Sequence, residues 1–332
     1  MKPKGHHTIP RLHLQHFVGL EPHGQVWTYD KTTGREWSAI PEETSVQTHF
    51  YSAEQADGTM DTRIEEFLGR VESNAAPVYE QLLAHRVPNV SQERVYFAEF
   101  LAFMYTRTTA MRRMAAHAFG RTAQIHHYAY ASNPKAFEAL TRRVEAEKGE
   151  LMDPVIKEQI RQEMLNPSGA YVMQLPQVST FMVLAASDKL APILNKMKWT
   201  LVDAEDGYFI TSDNPLVRWV DPTTRHPIYG DLGFENKTAE VTFPLSPRKL
   251  LLLSWQEAVP ERASFPREHV DYANAARAGH SERYVYAHTN DTRIKDLAAK
   301  YKDSRPDVTT QGFGPKTFAP IEVARRSKKK PM

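Results

Sequence analysis

No cysteine occurs among the 332 residues. That excludes a disulfide framework, thiolate zinc sites and a cysteine nucleophile, and it accords with a cytosolic protein. Excess charge of either sign is also missing. Lys and Arg number 42 against 40 Asp and Glu, a formal net charge of +2, so no global field marks a nucleic-acid binder. No apolar run approaches the ~20 residues that span a bilayer. The opening "MKPKGHHTIP" lacks the apolar stretch of a secretory signal. The expectation is a cytoplasmic protein with no membrane partner. No Walker loop, GxGxxG, HExxH or GxSxG motif is present. Nucleotide-fold hydrolases, dinucleotide enzymes, zincins and α/β-hydrolases therefore lose support.

What is there begins with β signals. "GQVWTYDKTTGREWSAI" places two β-rich, aromatic-bearing runs around the turn Lys31-Thr32-Thr33-Gly34, the pattern of a hairpin. From Asp61 to His85 the apolar spacing turns helical, through Ile64, Phe67, Leu68, Val71, Val78 and Leu82. A longer helix follows Ser91, its candidate N-cap, and its periodicity runs unbroken through "RVYFAEFLAFMYTRTTAMRRMAAHAF". Asn133-Pro134 and Asp153-Pro154 each set a capping side chain before a proline at the first helical position. A further helix spans about Val178 to Lys196. The period then changes to that of strands: two around Asp206-Gly207, two around Ser246-Pro247, and "RYVYAH" after a helix carrying Val270 to Ala278. The expected class is α+β, with an N-terminal β-hairpin, a helical middle and a mostly antiparallel C-terminal sheet. Residues 1–324 are expected to form one domain with a sub-boundary near residue 197. Residues 325–332, which carry five cations and no acid, form a basic disordered tail.

The chemistry-bearing residues fall into three groups. In "HHTIPRLHLQHF", Pro10 keeps the preceding segment extended, so His6 and His7 point opposite ways and cannot easily hold one metal side by side. His13 and His16 lie a helical turn apart, while Ile9, Leu12 and Phe17 dock the segment. One reading is a docked segment with partly exposed histidines. The other is an imidazole serving as general base or metal ligand. Arg107 falls within the stripe of Phe100, Phe103, Met111 and Met114, where a guanidinium needs a carboxylate partner or grips an anionic ligand. Arg112 and His117 match the Arg-x4-His spacing of HEPN-type ribonucleases. Five residues set them about 140° apart on a helix, and the match carries no weight. "FITSDNPL" ends a strand in Ser212-Asp213-Asn214-Pro215, either an Asx-turn or a rigid carboxylate of the kind found among metal ligands and acids. Asp30-Lys31 repeats that ambiguity at the hairpin.

Taken in order, "HHTIPRLHLQHF", "VWTYDKTTG", "FYS", "FLAFMYTRTTAMRR", "ITSDNP", "FPLSPRKLLLL" and "RYVYA" resemble the prokaryote-rich family called domain of unknown function 4238, from about Lys4 to His288. The family pattern falls on His6, His7, Pro10, Asp30, Lys31, Arg107, Arg112, Ser212, Asp213, Asn214 and Pro215. Thr8 and His13 stand where the family tends to have bulkier aromatic residues. The resemblance groups these residues and implies no activity.

A set of His, Arg, Asp and Lys suits phosphoester chemistry better than redox or acyl transfer. The leading expectation is a phosphoester hydrolase, such as a defence- or toxin-type nuclease. In it His6 or His7 is base or ligand, Asp213 holds a divalent metal or orients the histidine, and Arg107 stabilises transition-state charge. His7 and Asp213 are the candidate metal ligands. Asp30, Lys31, Arg112, Ser212 and Asn214 are the accompanying binding residues. The alternative is a non-catalytic module whose polar cluster recognises an anionic ligand or a partner protein.

Overall fold

A computed structural model of the chain describes residues 5–20, 23–48, 53–54, 60–61, 63–89, 91–166, 173–174, 176–224, 233–306 and 322–323. The order opens with β1 (Gly5–His7), α1 (Arg11–Leu14), β2 (Val26–Asp30), β3 (Glu36–Ala39) and β4 (Val46–Thr48). The two-residue strands β5 (Ala53–Glu54) and β6 (Met60–Asp61) follow. The helical middle holds α2 (Arg63–Leu83), α3 (Gln92–Thr106), α4 (Thr109–Ser132), α5 (Pro134–Lys148), α6 (Pro154–Leu165), β7 (Met173–Gln174) and α7 (Pro176–Lys196). Then come β8 (Lys198–Ala204), β9 (Thr211–Ser212), β10 (Val217–Trp219), β11 (Glu240–Ser246), β12 (Lys249–Ser254) and β13 (Arg262–Phe265). Helix α8 (Arg267–His280), β14 (Tyr284–Ala287), α9 (Thr292–Lys300) and β15 (Glu322–Val323) complete the order. The class is α+β, as expected.

The backbone groups into two units, Met1–Met111 with Thr180–Pro306 and Arg112–Ser179 with Asp307–Met332. The division falls inside α4 and α7, not at the change of period near residue 197. Residues 325–332 lie outside the described residues. In the second unit, Asn133 and Asp153 accept backbone N–H bonds at the starts of α5 and α6, each with proline at the first helical position. Lys157 of α6 meets Glu138 and Glu145 of α5.

The first unit holds two larger sheets. One has the order β10-β11-β12-β8-β13, antiparallel except for β13 beside β8. Its period of two sorts the core. Trp199, Leu201, Val241, Phe243, Leu251 and Leu253 join residues of α2 and α3 in one cluster. Val202, Ala204 and Leu250 join Val270 and Ala273 of α8 in another. Each fully buried Leu or Phe contributes roughly 1.5–3 kcal/mol. The second sheet, β3-β2-β14-β9, is antiparallel throughout. Tyr29 and Val285 on one face pack with Ala278, Ile294 and Ala298 of α8 and α9. The opposite face carries Val26 and Tyr286, which belong to the first cluster, beside Thr28 and Asp30.

Two sequence expectations fail locally. The long helix after Ser91 is broken: α3 ends at Thr106, Arg107 is its C-cap, and the Thr108 hydroxyl accepts the Met111 N–H as α4 begins. The tract Thr106-Arg107-Thr108-Thr109 supplies the side-chain acceptor that competes with the helix ladder. The strands expected around Asp206-Gly207 do not pair. Gly207, at φ +80°, turns the chain, and β9 joins the second sheet while β8 stays in the first. Ser91 is the N-cap of α3 by backbone conformation, with no bond from its side chain.

Candidate functional site

The expected site residues separate into two clusters. At the first, β1 pairs with β4, and the strand alternation sends His6 and His7 to different partners. His6 is buried, with Nε2 3.5 Å from Glu65 Oε2. His7 is half-buried and its Nδ1 lies 3.2 Å from the Thr44 carbonyl. Burial pulls its imidazole below the ordinary value, the Thr44 carbonyl opposes this, and the Arg107 charge adds to the lowering. Arg107 is buried: Nη1 donates to Glu72 Oε1 at 2.6 Å and Nη2 to the His7 carbonyl at 2.7 Å. Of the two readings for Arg107, the carboxylate-paired one is what the fold contains. His13, expected to be partly exposed, is fully buried. Tyr79 donates its hydroxyl to the Leu245 carbonyl, so it accepts from His13 Nδ1 at 2.9 Å. That leaves His13 Nε2 to accept from the Thr211 hydroxyl at 2.7 Å. Burial holds His13 well below its ordinary pKa, in the neutral form this bonding requires.

The second cluster surrounds the start of β14. Register pairs Tyr284 with Asp30, and the Asp213 N–H donates to the Tyr284 carbonyl, so two carboxylates flank that tyrosine. Asp213 is buried and accepts the N–H groups of Glu282, Arg283 and Tyr284 at 2.7–2.9 Å. Burial outweighs those three amides and pushes its carboxyl up to about 6. Asp30 is equally buried, and burial opposes its ionisation. The Arg283 fork at 2.6 and 3.0 Å, the Thr33 hydroxyl and the amides of Thr32 and Thr33 overcome that cost and hold it at about 2. Lys31 points away from both. Its Nζ donates to the carbonyls of Ala278, Ser281 and Ser304 at 2.8–3.0 Å, closing the C-terminus of α8. The Ser212 hydroxyl accepts the Asn214 N–H, and Asn214 Nδ2 donates to the His280 carbonyl. Both act as turn and cap residues.

The clusters do not merge. His6 and His7 are not among the hydrogen-bond partners of Asp213, and Arg112 lies on α4 in the second unit. Among the described residues no three His, Asp or Glu side chains gather as a metal site.

Between the clusters opens a pocket of about 390 Å³. Its base is a row across the second sheet: Trp37 of β3 opposite Thr28 of β2, opposite Tyr286 of β14. Tyr284, two residues before Tyr286, shares their face. Trp37 and Tyr284 stand edge to face with centroids 6.0 Å apart, and the Arg283 guanidinium lies 4.9 Å from the Tyr284 ring centre. The segment Glu43–Gln47 forms another side, together with Thr8 and Thr109. Ser45, at φ +60°, is held there by the Thr8 hydroxyl at 2.6 Å and the Ile9 N–H at 3.2 Å. Asp213 and Arg283 also line this space. Thr28 is only 2% exposed, and its buried hydroxyl oxygen has no hydrogen-bond partner.

Sequence reasoning singled out Asp213 but missed Arg283, Trp37, Thr28, Tyr284, Glu43 and Gln47. The alternation in "RYVYAH" puts Tyr284 and Tyr286 on one face and was the one local signal. The partners across the sheet depend on long-range register.

No helix among the described residues is long and apolar enough to cross a membrane. No curated protein and no solved structure matches the chain. The family described as protein of unknown function, DUF4238, matches residues 5–291. The motifs shared along that span and the match over most of the chain agree: the protein belongs to the DUF4238 family.

Proposed function

We propose that the protein binds a small polar ligand in the pocket bounded by Trp37, Thr28 and Tyr284. The observation that carries this is Thr28. A buried hydroxyl without a partner costs on the order of 1–3 kcal/mol, and Thr28 is among the residues that line the pocket. Arg107, Lys31 and Asp213, by contrast, are already engaged by protein groups. This keeps the binding-module reading and moves its centre from the N-terminal histidines to β14.

Thr28→Val tests it before any ligand is identified. It removes the orphan hydroxyl at nearly constant shape and should raise the stability of the free protein by about 1 kcal/mol in chemical denaturation. A destabilised variant would mean that the hydroxyl serves the fold, which would remove the support for the pocket.

Phosphoester hydrolysis, including nuclease action, is the second reading. One observation favours it: a carboxyl that titrates near neutrality, Asp213, lines the pocket beside Arg283. Its test is turnover of RNA, DNA and a generic phosphodiester, with and without Mg²⁺ or Mn²⁺, by wild type and Asp213→Asn. Turnover lost in the variant supports hydrolysis. Turnover by neither leaves binding as the function.

A further inference from the structure

We infer that the ligand of this pocket is an organic cation, an amine or guanidinium carried on a flat or apolar body. This rests on the pocket reading above.

Charge is the first ground. Asp30, Asp213 and Glu43 stand at the pocket or directly behind it, against Arg283 and Lys31. Arg283 is already neutralised by its two bonds to Asp30, and Lys31 is turned toward three backbone carbonyls. Glu43 is exposed, lines the pocket and pairs with no cation among the described residues, so its carboxylate is available at the mouth.

Hydrogen-bonding capacity is the second ground. Gln47 donates through Nε2 to the Thr109 hydroxyl, which leaves its carbonyl oxygen free to accept. The Thr28 oxygen is unpartnered, and Glu43 lines the pocket. On the donor side Arg283 keeps both Nη1 hydrogens and the second hydrogen of Nη2, and Trp37 and Tyr284, which carry an indole N–H and a hydroxyl, also line the pocket. The acceptors of Glu43 and Gln47 can receive the donors of a ligand.

The third ground is the aromatic corner. Trp37, 40% exposed, meets Tyr284 nearly at right angles, and Arg283 already lies over the Tyr284 ring. Electron-rich faces beside carboxylates favour cations. Val46, 40% exposed, lines the same pocket as Trp37 and adds apolar surface to it.

Three probes of one shape separate the outcomes: benzylammonium, benzyl alcohol and benzoate, each titrated against the full chain by ligand-detected NMR at fixed ionic strength. Benzylammonium should bind at least about tenfold more tightly than benzoate. Glu43→Gln, at an exposed position that does not threaten folding, should weaken benzylammonium by about threefold or more and leave benzyl alcohol unchanged. Trp37→Ala should weaken all three. Benzoate binding as tightly as the amine, with Trp37→Ala still abolishing both, would overturn the cation inference and leave the pocket standing. Binding of no probe, or binding indifferent to Trp37→Ala, would overturn the pocket reading as well.

Discussion

The N-terminal cluster and the β14 cluster use similar residues to different ends. Around His7, charged side chains meet one another: Arg107 joins Glu72 to the His7 carbonyl, and the result is a docked strand. Around β14, Asp30 and Arg283 also pair, but Lys31 and Asp213 meet backbone. Lys31 takes three carbonyls, Asp213 takes three amides, and a pocket borders the second of these. Backbone partners are fixed in place and cannot swing away. They hold a carboxylate in position while leaving the space beside it for something else. A cluster of ionisable residues is therefore a weak sign of a site; what matters is whether unfilled capacity faces unfilled volume.

The contrast predicts unequal costs when each cluster is cut. Lys31→Met strands three carbonyls in the interior and should cost on the order of 4 kcal/mol, read as the urea midpoint at constant slope. Arg107→Ala should cost less, about 2 kcal/mol, because Glu72 keeps some contact with water and can rehydrate. Equal losses would erase the distinction between backbone-held and side-chain-held cations.

The two carboxylates beside Tyr284 sharpen the comparison through pH, with contributions of about 2–3 kcal/mol and opposite sign. Asp30 titrates at about 2 when folded, below its unfolded value. Its contribution is fully present above pH ~4 and is lost as pH falls through about 2. Asp213 titrates at about 6, above its unfolded value, so the folded state binds the extra proton between about 4 and 6. Stability from this group therefore declines as pH rises across that window. Denaturation midpoints of wild type, Asp30→Asn and Asp213→Asn across pH 2–8 check both. The first variant should flatten the acid limb and the second should remove the decline near pH 5. Superimposable profiles would contradict both assignments.

Local signals carried much of the fold. The β2–β3 hairpin, the capped starts of α5 and α6, the β11–β12 pair and β14 were legible because turn chemistry and periodicity act over a few residues. The break at Arg107 was not, because an apolar period continues across it while the Thr108 hydroxyl stops the ladder. Nor was the change of sheet after Gly207, since β9 finds its partner β14 more than seventy residues along the chain. For the candidate site, Asp30, Lys31 and Asp213 could be picked out as unusual residues, but their roles could not. The alignment of Trp37, Thr28 and Tyr286 is set by which strands become neighbours, and no local spacing encodes that.

Strand β14 lies between β2 and β9 although it follows β2 by most of the described chain. Until residues 284–287 are synthesised and inserted, β2 has one edge unpaired and Tyr29 has no Val285 beside it. Pairings of such high sequence separation slow folding, and an open apolar edge is a template for wrong partners. The β2–β3 hairpin must therefore wait as an incomplete sheet during synthesis. This protein should refold slowly and lose yield at high concentration, with chaperones most useful in the interval before β14 arrives.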